Sequence, residues 1–139
     1  MEIICPNADD ITTWANWIAE SGYLRKYLPV TDGRWAATIE SEFQLTLLSQ
    51  DRNDLIRFAA RLFYRIIKNH RFLDGNKRSA VINVYLLVSL NGFGLDLSPR
   101  ALYHLAKNVA DSQDDQEDVI CRITNSFSKD LKPLYIVRK

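Results

Sequence analysis

Residues 69–81, NHRFLDGNKRSAV, gather a histidine, a carboxylate, a Gly-Asn pair and a Lys-Arg pair into one short polar run. His70 is the side chain in that run whose ordinary pKa suits removal of a proton from a hydroxyl near neutral pH. Gly75 lets a ligand approach the backbone with no side chain between them. A helix beginning there turns free N–H groups and a partial positive charge toward an anion. Lys77 and Arg78 then fall in the first helical turn, where positive charge opposes the macrodipole unless an anion offsets it. Arg78 brings a planar fork that suits phosphate oxygens, and Asn76 brings an amide donor. Asp74 would be repelled by a bare phosphate and is explained by a divalent cation between the two. Mg²⁺ commonly takes one or two carboxylates together with phosphate oxygens and water. Base, metal ligand and anion cradle are the components for moving a phosphorus-centred group from a nucleotide to a hydroxyl. Each residue alone has a plainer role: a histidine facing a helix C-terminus, an Asp-Gly turn, a solvated Lys-Arg face. It is their conjunction that points to a phosphate-ligand site.

Such a loop needs rigid elements on both sides. Before it, Leu55, Phe58, Ala59, Leu62 and Ile66 form an apolar stripe that Ile56, Phe63 and Ile67 widen, which predicts a central helix over residues 54–68 capped by Asn53 or Asp54. After it, a helix apolar on nearly every side runs over residues 77–90 and ends at Asn91-Gly92. Ser98-Pro99 opens a further helix bearing Leu102, Leu105, Ala106 and Val109, and the last helix begins near Asp114 or Asp115. The acids Asp111, Asp114, Asp115, Glu117 and Asp118 could pass for a metal or basic-partner site, but they read best as partners of that helix's macrodipole. His104 lies outside the polar run and is read as structural or surface. The tail 131–139 adds a short strand or lies on the surface. Earlier in the chain the pattern predicts a short strand over 2–5, a helix with Ile11, Trp14 and Ile18 on its apolar side, a hairpin at Asp32-Gly33, and a helix over 36–49.

A chain of 139 residues, 47% hydrophobic and 25% charged, fits one globular domain spanning residues 1–139. With 18 Lys+Arg against 17 Asp+Glu the net charge is +1, so no global field draws it to nucleic acid or an anionic membrane. Cys5 and Cys121 lack the spacing of a zinc site and are too few for a disulfide scaffold, so both are expected as reduced thiols. No basic region precedes a long apolar core at the N-terminus, and the apolar stretch over 80–90 is too short to span a bilayer. A soluble, cytoplasmic protein is expected.

HRFLDGNKRSA, residues 70–80, resembles the signature of the Fic/Doc superfamily, H-x-F-x-[DE]-G-N-[GK]-R. His70, Phe72, Asp74, Gly75, Asn76 and Arg78 all match it. The likeness runs over residues 51–125, and residues 1–50 align with nothing in it. It implies a mainly α fold, a compact Fic/Doc-type helical bundle with a short β-hairpin flap before the motif, for which Asp32-Gly33 is the candidate on position alone. Lys77 stands where AMP-transferring members carry a small glycine, and Val81 where they carry a second arginine; Lys77 with Ser79-Ala80 resembles instead the N-K-R-[TS]-A form of the Doc-like toxin branch.

That resemblance implies a kinase carrying phosphate from ATP to a Ser, Thr or Tyr hydroxyl of a target protein, elongation factor Tu in family members, and so inhibiting translation. It makes His70 the general base, Asp74 the Mg²⁺ ligand, Gly75, Asn76, Lys77 and Arg78 the nucleotide phosphate contacts, and Phe72 the anchor of the loop. No glutamate in the chain is followed by Gly or Asn, as the family's self-inhibitory [ST]-x-x-x-E-[GN] helix requires, so a separate antitoxin is the expected partner. Adenylylation of a target protein and an inactive binding module of the same fold are the alternatives; intact His70 argues against the second.

Overall fold

The computed structural model describes Ile3, Cys5 and residues 39–44, 51–68 and 76–134. The chain is mainly helical, with one small antiparallel sheet. Helix α1 spans Arg52–Lys68, α2 Asn76–Leu90, α3 Pro99–Asp111 and α4 Gln116–Asp130, with strands β1 Phe93–Leu95 after α2 and β2 Leu131–Pro133 after α4. Residues 39–44 form a further helical segment, inside the helix expected over 36–49. Ile3 and Cys5 are not in a strand, against the expectation for residues 2–5. The helix built on Ile11, Trp14 and Ile18, and the hairpin at Asp32-Gly33, lie outside the described residues.

Helix α1 is the hub. Every residue of its expected stripe is buried, and it packs against α2, α3 and α4. Phe63 meets Phe127 of α4 edge-on at 5.5 Å between ring centroids, and Phe58 meets Phe43 of the 39–44 segment in the same way at 5.2 Å. Pairs of this kind contribute roughly 0.5–1.5 kcal/mol beyond the area they bury. The cap of α1 is Asp51 rather than Asn53 or Asp54: its carboxylate accepts the Asp54 backbone N–H at 3.1 Å, and its carbonyl accepts that of Leu55 at 3.1 Å. Asp54 is instead buried and takes the guanidinium of Arg57. Its side chain is thus committed inside the helix and does not serve as the cap.

Helix α2 buries Ala80, Val81, Val84, Leu87 and Val88 and packs on α1, α3 and β1. It stops where expected: Asn91 and Gly92 donate backbone N–H groups to Val88 and Ser89, and Gly92 has φ 84°, a conformation that costs a residue bearing Cβ about 1–2 kcal/mol. Ser98 caps α3 by accepting the Ala101 N–H at 3.1 Å, with Pro99 in the first turn. The acids at the start of α4 include Glu117 and Asp118 in its first turn, and no group of His, Cys, Asp and Glu among the described residues is arranged to hold a metal ion. Leu131–Pro133 pairs antiparallel with Phe93–Leu95, so the tail does contribute a strand. No helix among the described residues is long and apolar enough to cross a membrane.

Tyr85 of α2 donates its hydroxyl to the carbonyl of Leu97 and so holds the β1–α3 connection against α2. Burial disfavours the phenolate and raises the Tyr85 pKa above the ordinary tyrosine value of 10.0. A raised folded-state pKa gives stability that is complete below the unfolded value and is lost as pH climbs through the folded one. Tyr85→Phe is expected to cost about 1 kcal/mol at pH 7 through the lost hydrogen bond. It should also flatten the decline in stability above about pH 10, as measured by urea denaturation across that range.

Candidate active site at the junction of α1 and α2

The polar run links α1 to α2, the two core helices of the fold. His70, Phe72, Asp74 and Gly75 lie outside the described residues; Asn76 begins α2, Lys77 is partly buried and Arg78 is exposed. Lys77 and Arg78 thus occupy the first turn of α2, as expected, the helix beginning one residue before 77, at Asn76, and that turn carries no acidic residue. Two cations and the free N–H groups of a helix start therefore act in the same direction on any ligand in front of them. Three residues past Arg78, Val81 is only 6% exposed and belongs to the apolar core, so that position contributes no charge.

Both stems of the junction are fixed. At the end of α1, Lys68 reaches across to the C-terminal end of α3 and donates Nζ to the carbonyls of Ala110 at 3.3 Å and Ser112 at 2.8 Å. A cation on the carbonyls that a helix end leaves unpaired is favourable both as a hydrogen bond and against the dipole. One turn earlier, Arg65 donates Nε to Glu42 Oε1 at 2.8 Å, and Arg61 donates to the other oxygen of the same carboxylate. Arg61 also meets Glu117 at 3.3 Å, which brings the 39–44 segment, α1 and the start of α4 to one point. Burial works against the charge of Arg61, but its hydrogen bonds to Glu42 and Glu117 more than offset that, and its pKa lies above the ordinary value. On the α2 side, Asn83 donates Nδ2 to the Ser79 carbonyl at 2.7 Å, inside the core.

Several of these residues escape a reading of the sequence alone. Glu42 lies far in the chain from its two arginines, and nothing in its local pattern marks it as buried. Asn83 does carry a signal, being an amide in an otherwise apolar stretch, and Lys68 sits at a helix end where a cation usually faces its own dipole. His104 is exposed on α3, Cys5 is half-buried and Cys121 is exposed. A cleft of about 630 Å³ lies between α3 and α4, beside Asn108, Ser112, Asp114 and Arg122. It holds none of the residues of the polar run.

The Fic/DOC family model matches residues 10–88. The chain belongs to the Fic/DOC family. The match takes in the whole polar run and begins at residue 10, so the family likeness reaches through the first part of the chain, where no motif stands out, and it closes within α2. No curated protein and no solved structure matches the chain. Family membership gives the junction of α1 and α2 its significance: in a Fic/DOC protein this is the segment that carries the H-x-F-x-[DE]-G-N motif.

Lys68→Met keeps the apolar stem and removes both hydrogen bonds to the end of α3. The variant is expected to lose about 1–3 kcal/mol of stability, the usual range for hydrogen bonds made by a charged donor, in urea denaturation monitored by circular dichroism.

Proposed function

We propose that the protein is a Doc-like kinase that transfers the γ-phosphate of ATP to a Ser, Thr or Tyr hydroxyl of a target protein. The observation that carries this reading is the first stretch of α2. Lys77 and Arg78 stand together in a turn without an acid, while the position three residues further on, Val81, is buried in the apolar core. A lysine here fills space that a glycine would leave for nucleotide phosphates, and Val81 offers no second cation to orient a triphosphate for attack at its α-phosphorus. Both features favour ATP bound with its γ-phosphate nearest His70.

In this reading Gly75 and Asn76 present backbone N–H groups to the phosphates, and Lys77 and Arg78 offset the negative charge that spreads over the transferred group. His70 takes the proton of the attacking hydroxyl as the new phosphorus–oxygen bond forms and ADP departs. Asp74 is the residue that would hold Mg²⁺, since one carboxylate beside phosphate oxygens is a donor set this ion accepts. When bound, Mg²⁺ supplies charge neutralisation at the phosphates. A target such as elongation factor Tu, with inhibition of translation as the result, belongs to the same proposal, as does control by a separate antitoxin.

Incubation with ATP labelled at the α- or the γ-position, in an extract containing elongation factor Tu, tests the assignment. Label retained on protein from γ-labelled ATP alone is the expected result, and His70→Ala is expected to abolish it without unfolding the protein. Label from α-labelled ATP alone would establish AMP transfer instead, and bound ATP with no label from either would mark a binding module. Asp74→Ala is expected to weaken Mg²⁺-dependent turnover while leaving the circular dichroism spectrum unchanged; an unaltered Mg²⁺ titration would remove Asp74 from the metal.

A further inference from the structure

Ser79 and Asn83 are both 0% exposed, in a helix whose other buried residues are apolar. The remaining buried polar residues among those described, Glu42 and Asp54, each face an arginine. Ser79 and Asn83 face each other. Asn83 Nδ2 lies 2.7 Å from the Ser79 carbonyl oxygen and 3.3 Å from Ser79 Oγ. A carbonyl oxygen can only accept, so the amide cannot be turned the other way round. The atom left over is Asn83 Oδ1, which is buried and has no hydrogen-bond partner among the described residues.

A buried acceptor without a donor is a net cost, and an apolar side chain of similar shape would remove it. Its presence calls for a gain other than stability. Two features place that gain at the start of α2. Ser79 directly follows Arg78 at the end of the first turn, and the Asn83 side chain runs back along the helix toward that turn, because its hydrogen bonds end on Ser79. A helix start carrying two cations and no acid is prone to fray, since its charges oppose its own dipole. A second donor on the Ser79 carbonyl, beside the backbone ladder, ties that turn to the one below it.

We propose that Asn83, acting through Ser79, is a positioning residue that holds the first turn of α2 in place for the phosphates of a nucleotide. The inference rests on the transferase reading above. Donors aimed at phosphate are most effective when they are fixed before the ligand arrives, and the residues behind them do that fixing.

The test uses the full chain as wild type, Asn83→Leu and Asn83→Ala. It measures the thermal midpoint, the ATP dissociation constant by titration calorimetry with Mg²⁺ present, and hydrogen exchange of the amides of residues 77–80. Asn83→Leu is expected to raise Tm by a few degrees, by removing the unpaired acceptor. At the same time it should weaken ATP about tenfold or more and speed exchange in the first turn of α2. Asn83→Ala is expected to weaken ATP as well. A purely structural pair would not move stability and affinity in opposite directions. ATP bound by Asn83→Leu as tightly as by wild type overturns the inference. If that variant does not fold, Asn83→Ala, which removes the same donor to the Ser79 carbonyl, decides, and unchanged affinity there overturns it. Wild-type protein that binds no ATP overturns the transferase reading and this inference together.

Discussion

A helix with eleven of its 17 residues buried cannot lie on the flank of a bundle; neighbours must surround it. That requirement on α1 organises the rest of the described fold. Helices α2, α3 and α4 are each placed by packing on it, and the aromatic contacts of Phe58 and Phe63 set where the 39–44 segment and α4 dock. The two ends of α1 are held by the same device. Arg52 at its start donates to the carbonyls of Ser128 and Leu131 at 2.9 Å, and Lys68 at its end donates to those of Ala110 and Ser112. Each cation thereby serves carbonyls at or just past the end of another helix, and the central helix is fixed along its axis as well as around it.

The charges near the end of α1 are arranged in opposition. Arg61 and Arg65 share the buried carboxylate of Glu42, so most of the positive charge in the last two turns before the polar run is matched inside the protein. Removing Glu42 would take the carboxylate from partly buried Arg65 and leave Arg61 only the exposed Glu117, which is far more costly than never having had the cluster. The first turn of α2 is the reverse case, with two cations and no acid.

The central elements were legible in the sequence because one signal governed each. The breadth of the apolar pattern marked α1 and α2 as core helices, Ser98-Pro99 marked the start of α3, and Asn91-Gly92 marked the end of α2. The cap of α1 was not legible, because Asp51, Asn53 and Asp54 are all good cap residues and only the burial of Asp54 against Arg57 separates them. The strand at 131–133 was readable as one of two choices, and its pairing with β1 was set by tertiary position. Of the candidate site, residue types and spacing identified the motif and the first turn of α2. The residues that steady it, Glu42, Lys68 and Asn83, act across the fold or against their surroundings, and periodicity carries no trace of such contacts.

The pairing of β1 with β2 also bears on how the chain reaches its native state. These two short strands close an excursion that contains α3 and α4, and the register Leu95 with Leu131 places two buried leucines at its neck. Arg52 reaches the same neck through the Leu131 carbonyl. Closing so long an excursion gives up chain entropy before a two-strand ladder can return much, which makes the pairing a late event compared with the local winding of the helices. The neck then works as a latch: α3 and α4 gain their full resistance to opening only after it shuts, and they form one cooperative unit with the start of α1 rather than two independently held helices.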